Sequence, residues 1–113
     1  MKRISTHVLD MTRGKPAQHV PVRLERQLSG EWTLLATSHT DADGRCAQLL
    51  PQNTSLEPGI YKLAFDVASY QSNNRMETLY PVIEITFRVT EGESHFHLPL
   101  LLSPHGYTTY RGV

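Results

Sequence analysis

Apolar and polar side chains alternate with a period of two through most of the chain, the pattern of strands that bury one face and wet the other. Val20, Val22 and Leu24 alternate with Pro21, Arg23 and Glu25, and Ile83, Ile85, Phe87 and Val89 with Glu84, Thr86 and Arg88. Tyr61, Leu63, Phe65 and Val67 share one side of another such segment. These patterns predict strands over 4–9, 20–25, 32–37, 45–50, 60–67, 82–89 and 94–102. Turn formers separate them: 10–16, Ser29-Gly30 and Thr40-Asp41-Ala42-Asp43-Gly44. The residues 68–76 hold the one candidate helix, with Asn73-Asn74 equally suited to a turn. Recurrent short strands with turns between them read as an all-β sandwich.

Two segments break the inside–outside rule. In 94–102, Phe96, Leu98, Leu100 and Leu102 form the inner face, yet the outer face carries His95, His97, Pro99 and Leu101. In 4–9, Thr6 and Val8 face in while Ser5, His7 and Leu9 face out. Apolar residues beside histidines on a nominally wet face point to a surface covered by another subunit. Pro99 has no amide proton, so it requires an edge position or an unpaired ladder site. The segment after this strand, Ser103 to Val113, contains Tyr110, Arg111 and Gly112, an aromatic ring, a guanidinium and a flexible link.

Composition narrows the classes. With 113 residues the chain reads as one domain, 1–113, with a single core. Its 11 basic and 11 acidic side chains balance, which argues against nucleic acid or an anionic membrane as a partner. Apolar runs reach only three residues, as in Leu100-Leu101-Leu102, far from the roughly 20 of a spanning helix. One cysteine, Cys46, and a polar start, Met1-Lys2-Arg3, suggest a reducing, cytoplasmic setting.

The candidate chemistry gathers on His7, Arg45, His95 and His97. An imidazole exchanges protons near neutral pH, and a guanidinium holds an oxyanion with paired donors, the two functions that amide hydrolysis needs. The bland reading is that the histidines are surface residues. A metal reading exists too: His95-x-His97 projects to one side, and His7 would complete a three-histidine zinc site, although no carboxylate motif supports it and no metal or cofactor is expected. Cys46 follows Arg45 but faces the other way, so it reads as core filler. Asp10, Asp41 and Asp43 read as turn caps.

Several ordered motifs then converge: Ile4-Ser5-Thr6-His7-Val8-Leu9-Asp10, Gly14-Lys15-Pro16-Ala17, Val20-Pro21-Val22, the turn Thr40 to Arg45, Gly59-Ile60-Tyr61, Leu100 to Pro104, and Tyr110-Arg111-Gly112. Together they resemble the transthyretin-like proteins, specifically the 5-hydroxyisourate hydrolases, over essentially the whole chain. The resemblance implies a transthyretin-like β-sandwich of two four-stranded sheets with one short helix. It implies a homotetramer, a dimer of dimers with sites in the clefts between subunits. It implies ring-opening hydrolysis of 5-hydroxyisourate to 2-oxo-4-hydroxy-4-carboxy-5-ureidoimidazoline in urate catabolism. His7, Arg45 and His97 match the family's catalytic positions, and Tyr110 and Arg111, with His7 and Arg45, its substrate-contacting ones. His95 falls at the rim and His105 in a turn. Val113 stands where the family commonly has Ser, a lost hydroxyl worth ~1 kcal/mol of hydrogen bonding, which implies retained but reduced activity. The competing function is a transthyretin-type carrier of an aromatic ligand, which shares the fold but needs an apolar channel rather than two imidazoles and an arginine.

Overall fold

The computed structural model describes residues 2–75 and 77–113. The strands are β1 (Arg3–Asp10), β2 (Lys15–Pro16), β3 (Pro21–Leu28), β4 (Glu31–His39), β5 (Arg45–Cys46), β6 (Gly59–Asp66), β7 (Val82–Val89), β8 (His95–Ser103) and β9 (Gly106–Thr109). One helix, α1 (Val67–Asn73), lies between β6 and β7. The strands form two sheets. One follows the order β4-β3-β6-β7; the other runs β2-β1-β8-β9, with β5 attached to β1 as a fifth member. The β1–β8 pair is parallel, with Ser5 opposite His97 and His7 opposite Pro99.

The alternation seen in sequence becomes the core. Ile4 and Val8 of β1 and Phe96, Leu98, Leu100 and Leu102 of β8 are buried, and they meet Val22, Leu24, Tyr61, Leu63, Phe65, Ile83, Ile85 and Val89 of the facing sheet. Burial of this kind contributes about 1.5–3 kcal/mol for each large aliphatic or aromatic side chain, the main favourable term holding the sheets together. Some polar groups trapped with them are paired, although among the described residues the side-chain amide of Gln71 is not. The buried Thr6 hydroxyl donates to the Leu98 carbonyl at 2.7 Å. Asp10, also buried, accepts from the Tyr70 hydroxyl at 2.7 Å and from the amides of Thr12 and Arg13. It is a turn cap, as its position suggested.

Three expectations change in detail. The strand expected over 45–50 stops after Cys46, because the Gln48 side chain takes over the bonding: its Oε1 accepts from the amides of Ile4 and Leu50, and its Nε2 donates to the Lys2 carbonyl. The 10–16 turn contains a two-residue strand, β2, which pairs with Leu9 and Asp10. The added β2 makes one sheet five-stranded rather than four-stranded. The helix expected over 68–76 begins one residue earlier, where the Asp66 carboxylate caps it by accepting from the Ser69 amide at 3.1 Å, and ends at Asn73. Met76 lies outside the described residues.

Pro99 meets its sequence constraint in an unexpected place. It sits in β8, an interior strand, rather than at an edge. The register that pairs Leu100 with Thr109 and His97 with Gly112 sets Pro99 opposite Tyr110. The ladder is interrupted there: β9 ends at Thr109 and only a single bridge resumes at Gly112. The missing amide proton therefore falls on the gap, and the Thr109 hydroxyl serves the Pro99 carbonyl at 2.8 Å.

Candidate active site

Two rungs of the five-stranded sheet, separated by the inward-facing Thr6–Leu98 rung, assemble the site. On one, Arg45, His7, Pro99 and Tyr110 lie across β5, β1, β8 and the segment after β9; on the other, Ser5, His97 and Gly112 do the same. Residues opposite one another share a face, and so do Ser5 and His7, two apart on one strand. All seven positions therefore belong to the outer face of this sheet.

Local sequence explains each placement. Arg45 is carried by the 41–45 turn, where the Asp41 carboxylate accepts from the amides of Asp43 and Arg45, both at 2.9 Å. Those backbone bonds lead the causes that hold the Asp41 carboxyl below its ordinary range. Gly44 has φ +76° and packs so tightly on β1 that a Cβ would collide with the Val8 carbonyl, so glycine lets the turn dock and brings Arg45 beside His7. Arg45 forms no ion pair among the described residues. The His7 Nε2 donates to the Asp43 carbonyl at 2.9 Å. A carbonyl only accepts, so this bond puts the proton on Nε2.

His97 is gripped from two sides. Its Nδ1 lies 2.8 Å from the Ser5 hydroxyl, and its carbonyl accepts from the Gly112 amide at 2.7 Å. Gly112 lies against the ring: a Cβ there would fall 2.6 Å from the ring Cδ2. Burial, reinforced by the positive charges of His7, Arg45 and His95, pushes the His97 imidazole below its ordinary range, so it is neutral at neutral pH.

A cleft of about 220 Å³ opens here, lined by Ser5, Arg45, His95, His97, Arg3 and Val113 among others. No Asp or Glu side chain lines it. His7 flanks it, two along β1 from Ser5. Tyr110 shares its face but is not part of its lining. Arg111 has the opposite parity and turns to the other side of the sheet, where its guanidinium lies 4.5 Å over the Phe96 ring and bonds to Glu93 at 3.2 Å and to the His95 carbonyl at 3.1 Å. His105 is exposed in the β8–β9 turn. Cys46 is 6 % exposed within the core cluster, and burial raises its thiol pKa, away from the thiolate a nucleophile needs. Among the described residues no group of three His, Cys, Asp or Glu is arranged to hold a metal.

Ser5 and Gly112 are the partners that residue-type reasoning passes over. The period-two alternation already faces Ser5 outward beside His7, and that spacing was its signal. Gly112 offered no chemistry of its own to notice.

Chemically, the arrangement offers two imidazoles with one nitrogen each committed to the protein, a charged guanidinium without a carboxylate partner, and a small polar cleft. This set can move a proton and hold a negative oxygen.

Comparison with known proteins adds a direct line. The family model described as "HIUase/Transthyretin family" matches residues 4–112. The 5-hydroxyisourate hydrolase of Mus musculus is 46% identical over 111 residues, covering 96% of this chain and 93% of its own length. The enzyme of the same name from Salmonella typhimurium is 42% identical over 109 residues, covering 96% and 79%. Among solved structures, Klebsiella pneumoniae 5-hydroxyisourate hydrolase superposes with a TM-score of 0.85 at 38% identity, covering all of both chains. Transthyretin from Sparus aurata gives 0.91 at 32% identity, covering 99% of this chain and 97% of its own. The backbone thus matches hydrolases and transthyretins alike.

Proposed function

The chain belongs to the HIUase/transthyretin family, and we propose that within it this protein is a 5-hydroxyisourate hydrolase of urate catabolism. The observation that carries the reading is the pair of rungs that sets His7, Arg45 and His97 on one face beside a cleft whose lining has no Asp or Glu side chain. A carrier binds by apolar enclosure and gains nothing from a desolvated imidazole and an unpaired guanidinium. Both activities share the fold, so the site decides between them.

The substrate is a cyclic amide, and its ring opens when water adds to a carbonyl carbon and the C–N bond breaks. His7 and His97 share activation of water and return of a proton to the leaving nitrogen, while Arg45 binds the carbonyl oxygen as its charge grows. Tyr110, on the rung of His7, contacts the substrate ring. Arg111 holds that lip in place through Glu93, Phe96 and the His95 carbonyl. On the same face, beyond the His7–Pro99 pair, lie the half-buried Leu9 and Leu101, an apolar pair that suits cover by a second copy in a homotetramer. A buried, unpaired thiol suits a reducing compartment such as the cytoplasm.

The test is to generate 5-hydroxyisourate freshly from urate and follow its ultraviolet decay with wild type and with His97→Asn. Wild type should speed the decay, and the variant should be about 10²- to 10⁴-fold slower. Equal decay in every sample would hand the site to the carrier reading.

A further inference from the structure

Both histidines of the site give one nitrogen to the protein, and they give opposite ones. His7 commits Nε2, because the Asp43 carbonyl can only accept; when this ring is neutral, its Nδ1 carries the lone pair. His97 commits Nδ1, to Ser5. Ser5 as a residue is 5 % exposed, and among the described residues the His97 ring is the only hydrogen-bond partner of its hydroxyl. A buried hydroxyl with a single partner wastes its proton unless that partner accepts it, and an unpaired buried donor costs about 1–3 kcal/mol. Ser5 therefore donates to Nδ1, and neutral His97 keeps its own proton on Nε2. The two rings hold the same tautomer but leave different atoms free: a lone pair on His7, an N–H on His97.

We infer that Ser5 is a positioning residue that fixes His97 as a neutral hydrogen-bond donor, and that His7 alone carries the proton through the reaction. This rests on the hydrolase reading of the site and divides the labour that reading leaves shared. The rungs holding the two rings are separated by two residues of strand, roughly 7 Å of rise, which leaves room for a water and a carbonyl group. Water gives one proton to His7 Nδ1 as its oxygen bonds to the carbonyl carbon. The resulting oxyanion is held by the Arg45 guanidinium and the His97 Nε2–H. When the C–N bond breaks, the electron pair goes to nitrogen, and His7 delivers its proton there. Both hydrogens of the water end in the product, and both imidazoles return to neutrality. His97 never has to become imidazolate, since it donates a hydrogen bond rather than a proton. Its burial, with the Arg45 guanidinium nearby, serves the same end by keeping it from charging. Gly112 against Cδ2 stops the ring from turning away from Ser5.

The experiment combines a spectrum with kinetics. In uniformly ¹⁵N-labelled wild type above the imidazole titrations, long-range ¹H–¹⁵N correlations should show His97 with an unprotonated Nδ1 and a protonated Nε2. His97→Gln supplies the assignment. In Ser5→Ala the His97 signals should move toward a mixture of tautomers, kcat should fall about tenfold with KM nearly unchanged, and Ser5→Thr should restore both. His97→Gln, which can still offer an N–H, should keep at least tenfold more activity than His7→Gln, which cannot take a proton. A wild-type spectrum with the His97 proton on Nδ1, a Ser5→Ala spectrum that does not move, or equal losses in the two glutamine variants would each overturn the inference. If wild type fails to hydrolyse the substrate, the hydrolase reading falls, and with it the division of labour; the spectra then still decide whether Ser5 sets the tautomer.

Discussion

The two sheets turn very different outer faces to their surroundings. At the centre of the four-stranded sheet's outer face, charge is settled locally: Lys62 sits between Glu25 at 3.9 Å and Glu84 at 3.3 Å, its ammonium lies 4.3 Å over the Trp32 ring, and Arg23 reaches Glu25 at 3.7 Å. On the five-stranded sheet, Arg3, His95, His97, His7 and Arg45 occupy alternate rungs of one face, and the cleft among them has no Asp or Glu side chain. Both faces are polar. What separates them is compensation: a paired charge has spent its field on its partner, whereas an unpaired one keeps it for a ligand or a transition state.

The sharpest way to break the contrast is to remove the unpaired cation. Arg45→Met should reduce kcat/KM by about 10²- to 10³-fold, the loss typical of an oxyanion-stabilising donor, while urea unfolding stays within about 0.5 kcal/mol of wild type. A variant that unfolds early would mean that Arg45 serves the fold.

A smaller effect follows from His97. Its pKa in the folded protein lies below the ordinary 6.5, so between those two values the unfolded chain binds more protons than the native one. Stability is then complete at pH 7.5 and declines as pH falls through 6.5 toward the folded value. His97→Asn should flatten this part of the pH–stability curve; an unchanged slope in that variant would place its origin elsewhere.

The smallest change belongs to the other face. Lys62→Met should cost only about 1 kcal/mol, because a partly buried ion-pair network gains little over its desolvation, and hydrolysis should be unaffected. Any loss of turnover there would show that the two faces are coupled through the core.

Much of this was legible in the chain. Alternation located β3, β6, β7 and β8 because each buries one face, and the mixed outer faces of 4–9 and 94–102 marked the strands that carry the site. His7, Arg45 and His97 were the candidates the chain offered, and the fold brings them to alternate rungs of one face. Other features needed three dimensions. Nothing local reveals that Gln48 ends β5 by substituting its amide for a strand, since its partners are Lys2, Ile4 and Leu50. The opposite side taken by Arg111 depends on the register of a broken ladder. Ser5 acquires meaning only when a parallel pairing sets it against His97.

That pairing of β1 with β8 also sets a timetable. Ser5 and His97 are 92 positions apart in sequence, and their strands meet in parallel, so the first strand has to wait for the penultimate one. Contacts of such separation form slowly because loop closure must precede them. During synthesis, His7 is made before its β8 partners and stays idle until β8 has emerged. Catalytic competence is thus among the last properties this molecule acquires as it folds, and recovery of turnover after dilution from denaturant should trail the appearance of the β3–β4 hairpin.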